Sequence, residues 1–310
     1  MSRLIFVPQY QALMRYQEWW YTEFQNEFKK YFDEVITLGP IKENLKTIET
    51  FHGMFSPVKV SIDFELYQIQ EFLRLKLFDD DILFLADLSF PGFFTNVLHH
   101  KRPKKMFAFC HATSLNAYDY FAPVRDSKWL VESGHAKLFD AVFVGSYYHK
   151  KKLGWDNVIV SGVPKPPFQT YNDKKTIDIL SVSRPSIQKV NKKLEKKIAQ
   201  NFGKIYRFPD HFSWASYYHT ISNAKVVLFT GKEDTFGYGI LEAVMNRSVP
   251  VAPNNFAYPE LLERDFLYNN LDEAMAAVWN GIQFPDQIPE IKCMDLVDGF
   301  YKNVSNVMKE

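Results

Sequence analysis

Short apolar runs separated by stretches of helical spacing recur along the whole chain, and this alternation restricts it to a parallel α/β architecture built from βαβ units. Residues 4–7 read as a first strand, followed by an aromatic-rich helix to about residue 32, and residues 35–38 as a second strand stopped by Gly39 and Pro40. A helical pattern covers residues 64–77, and strands follow at 82–86, 106–110, 141–144 and 158–160. A polar, Pro-rich stretch at 162–175 then interrupts the rhythm and is the best linker candidate. Beyond it, strands at 177–182, 205–208, 226–229 and 249–252 alternate with helices at 190–201, 214–223 and 240–246, and a last helix spans 294 to about 308.

A chain of 310 residues supports two domains. With 28 Phe, 17 Tyr and 6 Trp it has material for two buried cores. The expected division is an N-terminal Rossmann-like domain at 1–165 and a C-terminal one at 166–310, facing each other across a cleft, with the last helix crossing back. In open parallel sheets ligands bind beyond the carboxyl ends of the strands, so the loops after each strand should carry the chemistry. The two cysteines, Cys110 and Cys293, are far apart, which excludes a disulfide scaffold or thiolate zinc site and fits a reducing, cytoplasmic compartment. No run approaches a membrane span, so no stable membrane insertion is expected. A formal net charge of +1 argues against wholesale coating of a polyanion, though not against local basic patches.

The richest motif lies in the second half. Thr230-Gly231-Lys232-Glu233-Asp234-Thr235-Phe236-Gly237-Tyr238-Gly239 follows a strand and opens the helix that holds Glu242. Gly237 and Gly239 permit close backbone approach, and a helix N-terminus offers N–H groups and a positive dipole end to phosphate. Glu242 can accept hydrogen bonds from a ribose diol, while Asp234 or Glu233 can hold sugar hydroxyls. A self-capping acidic loop is the simpler reading of either acid alone. Arg184 and Lys189, directly after the strand at 177–182, weigh against it, because two fixed cations suit a diphosphate.

This combination resembles the nucleotide-sugar-binding domain of family-4-type retaining glycosyltransferases of the GT-B fold, whose pattern is Arg-x4-Lys after a strand and later acid-x7-Glu around Phe-Gly. The resemblance covers roughly residues 107–262. It implies that Arg184 and Lys189 hold the diphosphate and that Glu242 holds the ribose. It also implies that Asp234 holds the donor sugar, with Thr235, Phe236, Gly237 and Tyr238 lining that site. Two departures stand out: the first acid is Asp234 with Glu233 one place earlier, and Met245-Asn246-Arg247-Ser248 replaces the small turn after the helix.

In the first half, His111 follows the strand at 106–110, and the resemblance implies that it faces the donor sugar; alone, it reads as a histidine satisfying loop carbonyls. Asp87 ends the strand at 82–86 and serves equally as an acceptor-hydroxyl partner or a turn cap. Asp119, Tyr120, Lys150 and Lys151 are acceptor-side candidates. Asp79-Asp80-Asp81 precedes its strand and reads as a solvated strand entry. No metal cluster and no Gly-x-Gly-x-x-Gly after the first strand appears, which disfavours a dehydrogenase.

The resemblance implies metal-independent transfer with retention from a nucleotide-diphosphate sugar, UDP-sugar being the first expectation, without a resident cofactor. For the acceptor, basic loops at 99–105 and 150–152 and nearby loop aromatics tilt the expectation to a 5-hydroxymethylpyrimidine such as hydroxymethylcytosine in DNA, as in bacteriophage glycosyltransferases; the host cytoplasm would then be the compartment. A saccharide or lipid-linked saccharide is the alternative, and a non-catalytic nucleotide- or nucleic-acid-binding relative is the contrasting class.

Overall fold

The computed structural model describes residues 2–40, 56–89, 91–118, 121–182, 190–208 and 213–310, with the side chains of α2 described from Ser61 onward. In chain order the elements are β1 (Arg3–Val7), α1 (Tyr16–Phe28), β2 (Glu34–Thr37), α2 (Ser56–Arg74), β3 (Asp81–Leu85), α3 (Phe94–Val97), β4 (Lys105–Phe109) and α4 (Arg125–Ala136). Then come β5 (Ala141–Val144), α5 (Tyr147–Leu153), β6 (Val158–Val160), β7 (Ile177–Ser181), α6 (Lys192–Phe202), β8 (Tyr206–Arg207), α7 (Trp214–Ser222) and β9 (Ala224–Leu228). The rest are α8 (Tyr238–Met245), β10 (Val249–Pro253), α9 (Tyr258–Leu261), β11 (Leu267–Tyr268), α10 (Leu271–Gln283), α11 (Met294–Asp298) and α12 (Phe300–Lys309).

Two compact units result: residues 1–145, 150–167 and 296–310 form the first, and residues 146–149 and 168–295 the second. The sequence division at 165/166 differs from this in three places: the first unit runs on to 167, 296–310 count with the first unit, and 146–149 count with the second.

The first unit holds a six-stranded parallel sheet in the order β2-β1-β3-β4-β5-β6. Alternation along each strand gives its two faces different chemistry. Ile5, Val7, Leu83, Leu85, Met106, Ala108, Val142 and Val144 join one aliphatic cluster. The intervening positions include Phe6, Phe84, Phe107, Phe109 and Phe143, all buried. Phe6 and Phe84 are register partners whose rings stack at 6.1 Å. Onto this aromatic face α1 lays Phe24, 5.5 Å from Phe6, and Phe28, 5.6 Å from Phe84. Phe300 of α12 then packs 5.7 Å from Phe24 and 6.2 Å from Phe109. Lys309 Nζ donates to the Tyr31 carbonyl, and Lys105 Nζ donates to the Lys309 carbonyl at 2.9 Å. Residues from opposite ends of the sequence thus close one core.

The second unit repeats the plan with a five-stranded parallel sheet, β11-β10-β9-β7-β8. Ile179, Val226, Leu228 and Val251 pack with Ala274, Ala277 and Val278 of α10. Residues 162–175 carry little regular structure, yet Val163, Pro164 and Pro166 are buried. Gly162 has φ +72°, and a Cβ there would lie 2.9 Å from Leu296 Cβ, so the start of this stretch is packed against the first unit's C-terminal segment and is not a solvated linker.

The sequence reading missed α4 and α10 and joined α11 to α12 across Gly299. The cause is clearest for α4: Leu130 and Val131 are exposed, while Glu132 and His135 are buried, which inverts the usual pattern. Asp81 is a correction too. It is 1% exposed and paired with Arg3 at 2.5 Å, so it anchors the entry of β3 where a solvated aspartate was expected; Asp79 and Asp80 are exposed.

Replacing Phe300 with Ala should remove the ring that links α12 to α1 and β4. The expected loss is about 3–5 kcal/mol of unfolding free energy, read from the urea midpoint. A loss below about 1 kcal/mol would mean that α12 does not close this core.

Candidate functional site

In the second unit the carboxyl ends of β7 and β9 are tied by a buried acid. Glu195 of α6 is 6% exposed and its Oε1 accepts from Ser181 Oγ at 3.0 Å and Thr230 Oγ1 at 2.8 Å, while Arg207 pairs with Oε2. The sequence hid this residue inside Lys192-Lys193-Leu194-Glu195-Lys196-Lys197, read as a basic helix. Its signal was helical spacing to the buried Ile198. Helix α6 starts at Lys192 because the Asn191 side chain accepts from the Leu194 amide at 3.2 Å.

The loop that follows β9 is built around its acids. Asp234 Oδ1 accepts from the Phe236 amide at 3.0 Å, an Asx turn, and Oδ2 accepts from the Tyr258 hydroxyl at 3.4 Å. Glu233 accepts from the Tyr148 hydroxyl, whose pKa is raised by burial and then by that carboxylate. Ser146 Oγ donates to the Thr235 carbonyl at 2.5 Å, and Glu260 takes the Tyr147 and Tyr148 amides at 2.7 and 2.5 Å. Phe236 is buried with its ring 5.5 Å from that of Tyr238.

Gly237 then turns the chain into α8 with φ +96° and ψ +48°. An added Cβ would sit 2.8 Å from Leu261 Cδ1, so backbone conformation and space both require glycine here. The turn sets the first amides of α8 beyond the carboxyl end of β9, and a helix N-terminus of this kind favours an anion.

Glu242, one turn into α8, is 8% exposed. Its Oε2 accepts from the Tyr217 hydroxyl at 2.8 Å and its Oε1 from Tyr218 at 3.2 Å. An ionised carboxylate offers about four acceptor directions, so two remain for a ligand's hydroxyls. These tyrosines, with Tyr258 and Glu260, are site-region residues that the sequence reading did not single out, whereas Tyr148 is one of the loop aromatics it noted. They come from α7 and α9, and no local spacing marks them. Arg184 and Lys189 lie outside the described residues, as do Asp119 and Tyr120.

The first unit holds the other candidates. The His111 ring stacks on Tyr16 at 4.4 Å and leans on Trp20 at 4.4 Å and Phe109 at 4.6 Å, so it is held by an aromatic cage at the end of β4. Asp87, 8% exposed, accepts from the Ser89 amide at 3.0 Å and from Gln9 Nε2, which gives the turn-capping reading a structural basis. Lys150 and Lys151 are exposed on α5. At the amino ends of β3 and β4 a groove of about 700 Å³ is lined by Arg102, Lys104 and Lys137, with Phe78 53% exposed at its side. Among the described residues, no group of three or more His, Cys, Asp or Glu side chains is placed to hold a metal ion, and no helix is long and apolar enough to cross a membrane.

Burial pushes Glu242 up to about 7 from its ordinary 4.5, against the downward pull of its two tyrosine donors. The folded chain then keeps a proton that the unfolded chain releases, so this contribution is full below pH 4.5 and is lost as pH rises through 7. Relative to Glu242→Gln, the wild type should lose about 3 kcal/mol of stability between pH 4.5 and pH 8, measured by urea unfolding across that range. A pH-independent difference would show that Glu242 is not buried as described.

No family model matches the chain. A curated tRNA-queuosine alpha-mannosyltransferase of Drosophila melanogaster is 29% identical over 96 residues, which is 31% of this chain and 23% of that protein's length. Among solved structures, TarM of S. aureus, in complex with fondaparinux, alpha-GlcNAc-glycerol and UDP, matches with TM-score 0.56 and 12% identity over 79% of this chain and 57% of its own. The lipopolysaccharide outer core galactosyltransferase WaaB matches with TM-score 0.62 and 13% identity, covering 99% of both chains. The two parallel-sheet α/β units expected from the strand rhythm are therefore those of the GT-B fold.

Proposed function

We propose that the chain is a glycosyltransferase that moves a sugar from a nucleotide-diphosphate sugar, UDP-sugar first, to a hydroxyl acceptor. One observation carries the reading: in the second unit, the Asp234 turn, the left-handed Gly237 and the buried Glu242 are assembled around the N-terminus of α8. That arrangement offers amides to phosphate and carboxylates to sugar and ribose hydroxyls, which are the two chemistries of such a donor. The UDP held by the structurally similar TarM supports the choice of nucleotide.

In this reading Glu242 holds the ribose, Arg184 and Lys189 hold the diphosphate, and Glu233 or Asp234 orients the sugar beside Thr235, Phe236 and Tyr238. Transfer proceeds with retention. The anomeric carbon–phosphate oxygen bond breaks, the acceptor oxygen bonds to the same face of that carbon, and the acceptor proton passes to the departing phosphate. Charge on the leaving group is met by the two cations and the helix end, so the step is metal-independent and needs no carboxylate nucleophile. His111, facing the donor sugar, and Asp87, as partner of the acceptor hydroxyl, are the first unit's catalytic candidates beside Asp234, and Asp119, Tyr120, Lys150 and Lys151 are its acceptor candidates.

For the acceptor we favour a hydroxyl on a modified base in nucleic acid, a 5-hydroxymethylpyrimidine of DNA being the first to test. Lys150 and Lys151, exposed on α5 after the carboxyl end of β5, suit phosphate, and the curated relative is named for transfer to a tRNA nucleoside. A saccharide acceptor is the competing reading, supported by WaaB, a galactosyltransferase of the lipopolysaccharide core.

Incubation with labelled UDP-hexoses and a panel of hydroxymethylated DNA, unmodified DNA, tRNA and oligosaccharides should label the hydroxymethylated DNA. Labelling of the oligosaccharides alone would overturn the acceptor, and neither transfer nor donor hydrolysis would overturn the enzyme. Glu242→Ala and Arg184→Ala should each lower kcat/KM by about 30-fold or more, corresponding to roughly 2 kcal/mol of a charge-assisted contact.

A further inference from the structure

Beyond the carboxyl ends of β1 and β3 the first unit has a second, narrower pocket of about 20 Å³, walled by α2 and α3. Gln9, Ser61, Glu65 and Asp87 supply its polar lining, and Phe64 and Phe94 supply apolar walls. A volume of this size holds one water-sized group.

Its hydrogen-bonding account is one-sided. Glu65 is 5% exposed, and its Oε1 accepts from the Phe94 amide, while Oε2 has no hydrogen-bond partner. The Gln9 amide oxygen is likewise buried without a partner. Flipping that amide does not help, because Nε2 is fixed by donating to Asp87, and reversal would set oxygen against carboxylate. Gln68, another amide of the lining, uses its nitrogen on the Pro8 and Leu38 carbonyls at 2.8 and 3.0 Å. Two buried acceptor oxygens, Gln9 Oε1 and Glu65 Oε2, are therefore left without a donor in this pocket.

Charge points the same way. Two carboxylates line the pocket, and the nearby cation, Lys128, is held elsewhere. Its Nζ donates to the Ser89 carbonyl at 2.6 Å and the Pro91 carbonyl at 3.4 Å, and it lies 3.8 Å from Glu132. A buried carboxylate oxygen without a donor is costly, and a ligand that brings both donors and positive charge removes that cost.

We propose that this pocket binds a primary or secondary ammonium group, whose N–H donors go to Glu65 Oε2 and Gln9 Oε1. The assignment is independent of the transferase reading, since an ammonium site persists whether or not the chain transfers sugar. The titratable and charged groups facing Glu65 are Asp87 and Tyr10 from the pocket lining and Lys128 from α4. Burial holds Glu65 up near 7, so the competent, ionised form fills between pH 6 and pH 8.

The test is titration of the full chain with ethanolamine, with ethylene glycol as the neutral control, followed by NMR or calorimetry at pH 6 and pH 8. Ethanolamine should bind saturably and about tenfold more tightly at pH 8, following the ionised fraction of Glu65. Ethylene glycol should not bind. Glu65→Gln keeps an acceptor for the Phe94 amide and replaces Oε2 with a donor, so it should weaken binding at least about tenfold. Should that variant fail to fold, Gln9→Leu takes its place and should weaken binding several-fold. The proposal is overturned if ethanolamine does not bind, if ethylene glycol binds equally, if the affinity ignores pH, or if the folded variant binds like wild type.

Discussion

The stacking of Phe6, Phe84, Phe24 and Phe300 is the interaction on which the first unit depends. A parallel sheet must be covered on both faces. Here the face bearing Ile5 and Val7 is covered from within the first 160 residues, but the aromatic face, covered in part by α1, also needs α12, more than 250 residues from β1. Large rings suit this task, because each buries about 150–250 Å² and fixes geometry through edge and face contacts. The stack continues through Phe109 and Trp20 to His111, so a candidate site residue is the outer end of the core itself.

The second unit depends instead on buried polar ties. Glu195 joins β7, β8 and the end of β9, while Asp234 and Glu242 join their loop and helix to tyrosines of α9 and α7. Such groups are stable only when their partners are in place, and that requirement positions the loop before any ligand arrives.

Strand rhythm was legible because short apolar runs such as residues 141–144 recur between helical stretches, the pattern of a parallel sheet buried on both faces. The turn at 234–242 was legible because acids, glycines and a helix start coincide there. Tyr217, Tyr218 and Tyr258 were not, because aromatic residues in a chain this rich in them carry no local mark of a polar role. Glu195 and Glu132 were hidden for a related reason: each sits among charged or exposed neighbours, and burial of an acid follows from tertiary partners and not from spacing. Asp81 shows the same limit, since only its pairing with Arg3 separates it from two solvated aspartates. The ammonium pocket is the extreme case, made by residues from 7 to 94 that share no pattern.

Placement of Phe300 in the first unit's core has a consequence for biosynthesis. Domains made early in translation commonly fold while the rest of the chain is still being extended. Here the aromatic face of the first sheet is covered by α1 but not completed until residues 300–309 have left the ribosome, after the whole second unit has emerged. The second unit, whose own core draws on residues 179–282, has the shorter wait and can settle first, so folding order would run against the order of synthesis.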